Sequence, residues 1–95
     1  MRLKLGPYKI GETVRIKCLV LGGHPSPSVT WWRDHQIVDN SYSKTGEHQV
    51  TNLLTISSLE RSDLHSILTC QARNNNASVA VSTSVKLDMT CNNIV

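Results

Sequence analysis

Val14-Arg15-Ile16-Lys17-Cys18-Leu19-Val20, Val29-Thr30-Trp31-Trp32-Arg33 and Leu68-Thr69-Cys70-Gln71-Ala72 decide the fold of this chain. In the first stretch Val14, Ile16, Cys18 and Val20 alternate with Arg15, Lys17 and Leu19. That period of two describes a strand with one face in a core and the other in water. In the second, alternation puts Val29 and Trp31 on one face and Thr30 and Trp32 on the other. In the third, which reads as a strand over 67–73, Leu68, Cys70 and Ala72 point inward and Thr69, Gln71 and Arg73 outward. Cys18 precedes Trp31 by thirteen positions and Cys70 by fifty-two.

Working outward, Met1 to Leu5 reads as the remnant of a first strand or as a linker, ended by the breaker pair Gly6-Pro7 and a turn at Gly11-Glu12. Two glycines and two prolines make residues 22–27 a loop. A tight turn at Asp34-His35-Gln36 leads to a short strand at Ile37-Val38, and polar residues 39–48 offer one short strand at most. Leu54, Ile56 and Leu59 mark the next strand and its exit, followed by a crossing turn at Glu60-Arg61-Ser62-Asp63. Asn74 to Ser78 forms a hairpin loop. The last strand carries Val79, Val81, Val85 and Leu87 on one side and Ala80, Ser82, Ser84 and Lys86 on the other. The expected organisation is one domain over residues 1–90 and a linker or added tail over 91–95.

The Cys18…Trp31…Cys70 spacing resembles that of immunoglobulin sandwiches. The resemblance implies an all-β fold, an immunoglobulin-like two-sheet antiparallel sandwich with one inter-sheet disulfide, Cys18–Cys70, packed on a buried Trp31. Core positions are then Trp31, Leu54, Ile56 and Leu68. The cysteines stand too close in sequence for both extra strands of a variable-type domain, so a constant or intermediate type is expected. Such a bond implies an oxidising compartment, hence the extracellular portion of a plasma-membrane protein or a secreted one. It also compensates for a thin aromatic core, since the chain has no Phe and two Tyr.

Composition excludes several functions. The ten Lys and Arg residues are scattered singly and the net charge is only +3, so no cationic face forms for nucleic acid. No stretch approaches the ~18 apolar residues of a membrane span, and the N-terminus lacks the apolar core of a signal peptide. Met1 therefore reads as an artificial start, with signal and anchor outside a fragment that itself makes no membrane contact. His24, His35, His48 and His65 lack metal-ligand spacing and read as solvated, so no metal or cofactor is expected. Asp34-His35 and Asp63 with His65 have no Gly-x-Ser-x-Gly nucleophile beside them, and no catalytic residue is assigned. Asn76-Ala77-Ser78 is a glycosylation acceptor pattern on a loop. Cys91 is the odd thiol, read either as an intermolecular partner or as a free linker cysteine.

The candidate protein-binding face gathers the outward residues Thr30, Trp32, Thr69, Gln71 and Arg73, with Ser82 and Ser84 beside them. An exposed tryptophan near an arginine and small polar residues has hot-spot composition. The competing reading stacks Trp32 under Arg73 as a cation–π pair or covers it with a neighbouring strand.

Leu5-Gly6-Pro7-Tyr8, Gly11, Gly22-Gly23, Val29 to Arg33, Asp63-Leu64-His65, Leu68 to Ala72, Asn74-Asn75-Asn76 and Ser84 to Met89 together resemble the inner constant-type immunoglobulin domains of Sidestep proteins. These are arthropod cell-surface receptors. The resemblance implies an ectodomain module of an adhesion and axon-guidance receptor whose full form binds Beaten-path-type surface proteins. An inner module of that kind spaces or orients the ectodomain and touches neighbouring immunoglobulin domains. Leu68 stands where the family of folds carries a corner tyrosine, so packing is expected to hold the Glu60–Asp63 turn. Cys91 is also a departure. The alternatives are a soluble secreted immune recognition protein and the accessory domain of an enzyme.

Overall fold

β-branched and aliphatic residues at alternate positions build the long strands, and the computed structural model describes them over residues 3–22, 26–73 and 81–89. The strands are β1 (Leu3–Tyr8), β2 (Val14–Leu21), β3 (Ser28–Arg33), β4 (Gln36–Asp39), β5 (Ser43–Gly46), β6 (Gln49–Ile56), β7 (Ile67–Arg73) and β8 (Val81–Met89). One sheet has five strands in the order β1-β8-β7-β3-β4, and the other has three in the order β2-β6-β5. The expected all-β sandwich is present, and Cys18 on β2 is bonded to Cys70 on β7 across the sheets, with Cα atoms 6.4 Å apart. One strand, β4, lies beside β3, where a constant-type domain has none and a variable-type domain has two. The sandwich is thus of the intermediate kind.

The core has two parts. Val29, Trp31, Val50, Leu54, Leu68 and Cys70 are buried together around the disulfide, with Ile16, Cys18, Val20 and half-buried Ile56 against them. Toward the other end Val14, Leu59, Leu87 and Met89 form a second buried group, packed by Leu5, Tyr8 and Leu64. Burial along β7 alternates as the sequence predicts, Leu68 and Cys70 inward. A polar residue shares the first group. Asn52 is 1 % exposed, opposite Cys18 in the β2–β6 register. Its Nδ2 donates to the Val29 carbonyl at 2.8 Å and to the Asp39 carbonyl at 3.3 Å, so it ties β6 to the facing sheet.

Several local expectations change. Gly6-Pro7 does not break the chain: both residues lie inside β1, which runs parallel to β8 from Leu3↔Val85 to Tyr8↔Met89. Their irregularity is absorbed as a register shift between Leu5 and Tyr8. Gly6 has φ +117°, and a Cβ there would come 2.5 Å from the Asp88 carbonyl oxygen, so only glycine fits this close approach. Residues 39–48 do contribute the one short strand allowed them, β5, all-exposed and without an aliphatic residue, formed by pairing with β6. The strand marked by Leu54 and Ile56, β6, extends back to Gln49. On β8, Val81 is 70 % exposed, and the inward positions become buried only toward Leu87 and Met89. Residues 23–25, the 74–78 loop with Asn76, Val79, Ala80 and Cys91 lie outside the described residues.

The Glu60–Asp63 turn is held by more than packing. It winds into a short 3₁₀ turn over Arg61–Asp63, and Asp63 is buried although it carries a carboxylate. Asp63 Oδ2 accepts the Glu60 N–H at 2.7 Å, and Asp63 Oδ1 pairs with the Arg33 guanidinium at 2.7 Å. Arg33 donates further to the Ser62 carbonyl at 3.4 Å, linking the end of β3 to the turn. Charged, hydrogen-bonded atoms thus replace the missing tyrosine hydroxyl. Asp63→Ala leaves the Glu60 N–H and a half-buried guanidinium without this acceptor, with an expected cost of about 1–3 kcal/mol in urea unfolding. Loss below the error of the measurement would return the turn to packing alone.

Candidate protein-interaction face

Trp31 and Trp32 are neighbours in β3 and therefore face opposite ways. Trp31 is 3 % exposed in the core, and its Nε1 donates to the Asn52 carbonyl at 3.0 Å. Trp32 lies on the other side of the five-stranded sheet, half-buried. Cross-strand register places it opposite Thr69 of β7 and Ile37 of β4, and Thr69 opposite Ser84 of β8. The hydroxyls of Thr69 and Ser84 hydrogen-bond to each other at 2.8 Å. The next row is Thr30, Gln71 and Ser82, with the Thr30 hydroxyl donating to the Gln71 carbonyl at 3.4 Å. The outer face is therefore a grid of small polar side chains around one indole.

Arg73 stands elsewhere on that face. Its rung partner is Ser28, four residues along β3 from Trp32, roughly 13 Å at strand spacing. The Ser28 hydroxyl donates to the Arg73 carbonyl at 3.1 Å. Arg73 is exposed and lines a shallow depression with Ser26, Ser28 and Tyr42. Register thus separates the tryptophan and the arginine that the sequence alone set side by side. On its β4 side Trp32 has an apolar neighbour instead, Ile37, which is 52 % exposed. The indole Nε1 of Trp32 is buried without an acceptor among the described residues.

Three features of the molecule escape a reading of the sequence. Asn52 occupies an inward slot, Val50-x-Asn52-x-Leu54, where its buried amide bonds the facing sheet through Nδ2 while its Oδ1 has no partner among the described residues. The Arg33–Asp63 pair joins residues thirty positions apart that no local pattern connects. Leu19, Leu21 and Leu53 leave 49 %, 71 % and 49 % of their surface exposed on the three-stranded sheet. Among the described residues no three His, Cys, Asp or Glu side chains come together as a metal site. None of the described helical segments is long and apolar enough to cross a membrane.

The architecture has close parallels among solved structures. The D1–D2 pair of Rst superposes with a TM-score of 0.76 at 15 % identity, covering 92 % of this chain and 45 % of that one. The tandem immunoglobulin repeats of Dlar give 0.68 at 20 % identity, over 94 % of this chain and 45 % of theirs. The titin I-band fragment I67–I69 gives 0.65 at 29 % identity, over 92 % and 31 %. The chain thus spans less than half the length of these tandem structures. No curated protein sequence matches it closely enough to count as a relative. The family model described as immunoglobulin domain matches residues 4–74. With Cys18 bonded to Cys70 across two sheets and Trp31 buried against them, the chain belongs to the immunoglobulin domain family.

Proposed function

We propose that this immunoglobulin domain is a non-catalytic recognition or spacing module in the extracellular part of a cell-surface adhesion and guidance receptor of the Sidestep kind. Its chemistry is surface complementarity, with no bond made or broken. The observation that carries recognition is Trp32, a half-buried indole on an outer sheet face with exposed, apolar Ile37 opposite it on β4. Aromatic side chains with apolar neighbours are enriched at the centres of protein interfaces. The inter-sheet disulfide supports an extracellular placement, because such bonds persist in oxidising compartments. For the full receptor the partner is a Beaten-path-type surface protein.

A spacing role is favoured by a different observation. The molecule measures 53 × 23 × 20 Å, and its structural parallels include tandem arrays. The two readings separate in one experiment. The isolated domain and the full ectodomain are each presented to Beaten-path-type ectodomains by biolayer interferometry. Binding by the isolated domain assigns recognition to it. Binding by the full ectodomain alone makes it a spacer, and silence from both removes the Sidestep assignment. If Trp32 anchors the contact, Trp32→Ala weakens binding by roughly 2 kcal/mol or more. Half-burial of the indole adds an expected stability loss of about 1–2 kcal/mol, so binding is compared well below the melting temperature.

A further inference from the structure

β2 is an outer strand of its sheet. β6 pairs with it along its whole length, from Val14↔Ile56 to Leu21↔Gln49, and among the described residues no strand pairs with its other side. Alternate residues of an antiparallel strand aim their N–H and C=O groups away from the paired neighbour, so β2 presents a row of unused backbone donors and acceptors. The side chains flanking that row on the outer face are exposed and ordered by chemistry: Arg15, Lys17, then Leu19 and Leu21. Leu53 of β6, opposite Lys17 and diagonal to Leu19, extends the apolar half. Neither Arg15 nor Lys17 has an ion-pair partner among the described residues, where the one salt bridge is Arg33–Asp63.

We propose that the free edge of β2 is a strand-addition site for an extended segment of another protein. The segment runs antiparallel, the geometry with the stronger ladder, and reads apolar-x-apolar-x-acidic-x-acidic from its N-terminus. Its apolar residues lie opposite Leu21 and Leu19, and its carboxylates opposite Lys17 and Arg15. Backbone hydrogen bonds supply the docking and the alternate side chains supply the choice of partner. Opposite charges across a rung are favourable and like charges unfavourable. The same two cations therefore turn away strands that carry basic residues at those two rungs. This site is on the opposite sheet from Trp32 and stands independently of the receptor reading.

The test uses the 95-residue chain and a nine-residue peptide with valine, leucine, glutamate and glutamate at its second, fourth, sixth and eighth positions and threonine elsewhere. Saturable binding is expected, with new hydrogen-exchange protection confined to alternate β2 amides. Replacing both glutamates by lysine weakens binding by at least about tenfold, a loss of ~1.4 kcal/mol. The Arg15→Glu/Lys17→Glu double variant, checked by its melting curve to be folded, reverses that preference. The proposal is overturned by absent protection, by affinity indifferent to the charge swap, or by protection on strands other than β2. It is equally overturned if the free chain self-associates on concentration with its β2 amides already protected, because a second copy then occupies the edge.

Discussion

Removing the inter-sheet bond, as Cys18→Ala/Cys70→Ala, is expected to lower the unfolding free energy by about 4 kcal/mol in the chain-entropy description, within a usual range of about 2–5. The half-cystines are 52 positions apart, so the bond closes most of the chain into one loop and removes many extended conformations from the unfolded ensemble. It also joins β2 to β7, strands of opposite sheets that share no backbone ladder. The double substitution leaves no lone thiol to reshuffle. For a domain of this size the melting temperature should fall by roughly 15–30 °C. Urea unfolding followed by tryptophan fluorescence checks it, with the reduced parent chain expected to match the variant. A loss under about 1 kcal/mol would show that apolar packing alone holds the sheets together.

Trp31→Ala is the second large effect, expected at about 3–5 kcal/mol. The indole is 3 % exposed, pairs in register with Cys70, and packs with Val29, Val50, Leu54 and Leu68, so truncation opens a cavity that rigid strands cannot close. Trp31→Phe separates shape from polarity. It keeps an aromatic ring but removes the Nε1 donor from the buried Asn52 carbonyl, with an expected cost of about 1–3 kcal/mol. Chemical denaturation of the two variants beside Trp32→Ala gives the ranking Trp31→Ala above both others. A Trp32→Ala loss equal to that of Trp31→Ala would contradict the opposed faces of β3.

The strands that carry large apolar residues at every second position were legible in the sequence. β2, β3 and β7 read correctly because Ile16, Val29 and Leu68 have one available destination, the space between two sheets. β1 and β5 were legible only in part, as a first-strand remnant or linker over residues 1–5 and as one short strand at most within 39–48. Gly6-Pro7 looks like an interruption until β8 is there to accept the irregular pairing, and Ser43–Gly46 carries no aliphatic side chain to announce a strand. Both owe their structure to a partner distant in sequence. The polar framework was hidden in the same way. Asp63 could be read as part of a turn, but its pairing with Arg33 depends on where β3 ends. On the outer face, parity alone gives the side of the sheet on which Trp32 and Arg73 lie. Their separation follows from the β3–β7 register, which pairs Trp32 with Thr69 and Arg73 with Ser28.

The parallel pairing of β1 with β8 has a mechanical meaning. The two strands run the same way, so the start of β1 and the end of β8 lie at opposite ends of one ladder. Tension applied along the chain, as between links of an array, pulls them past each other lengthwise. Every rung from Leu3↔Val85 to Tyr8↔Met89 is then loaded together instead of opening one at a time, and the rupture force is set by the whole ladder. Gly6, which lets β1 pass close to the Asp88 carbonyl, allows the ladder to resume at Tyr8↔Met89 beyond its register shift, so the last rung shares the load.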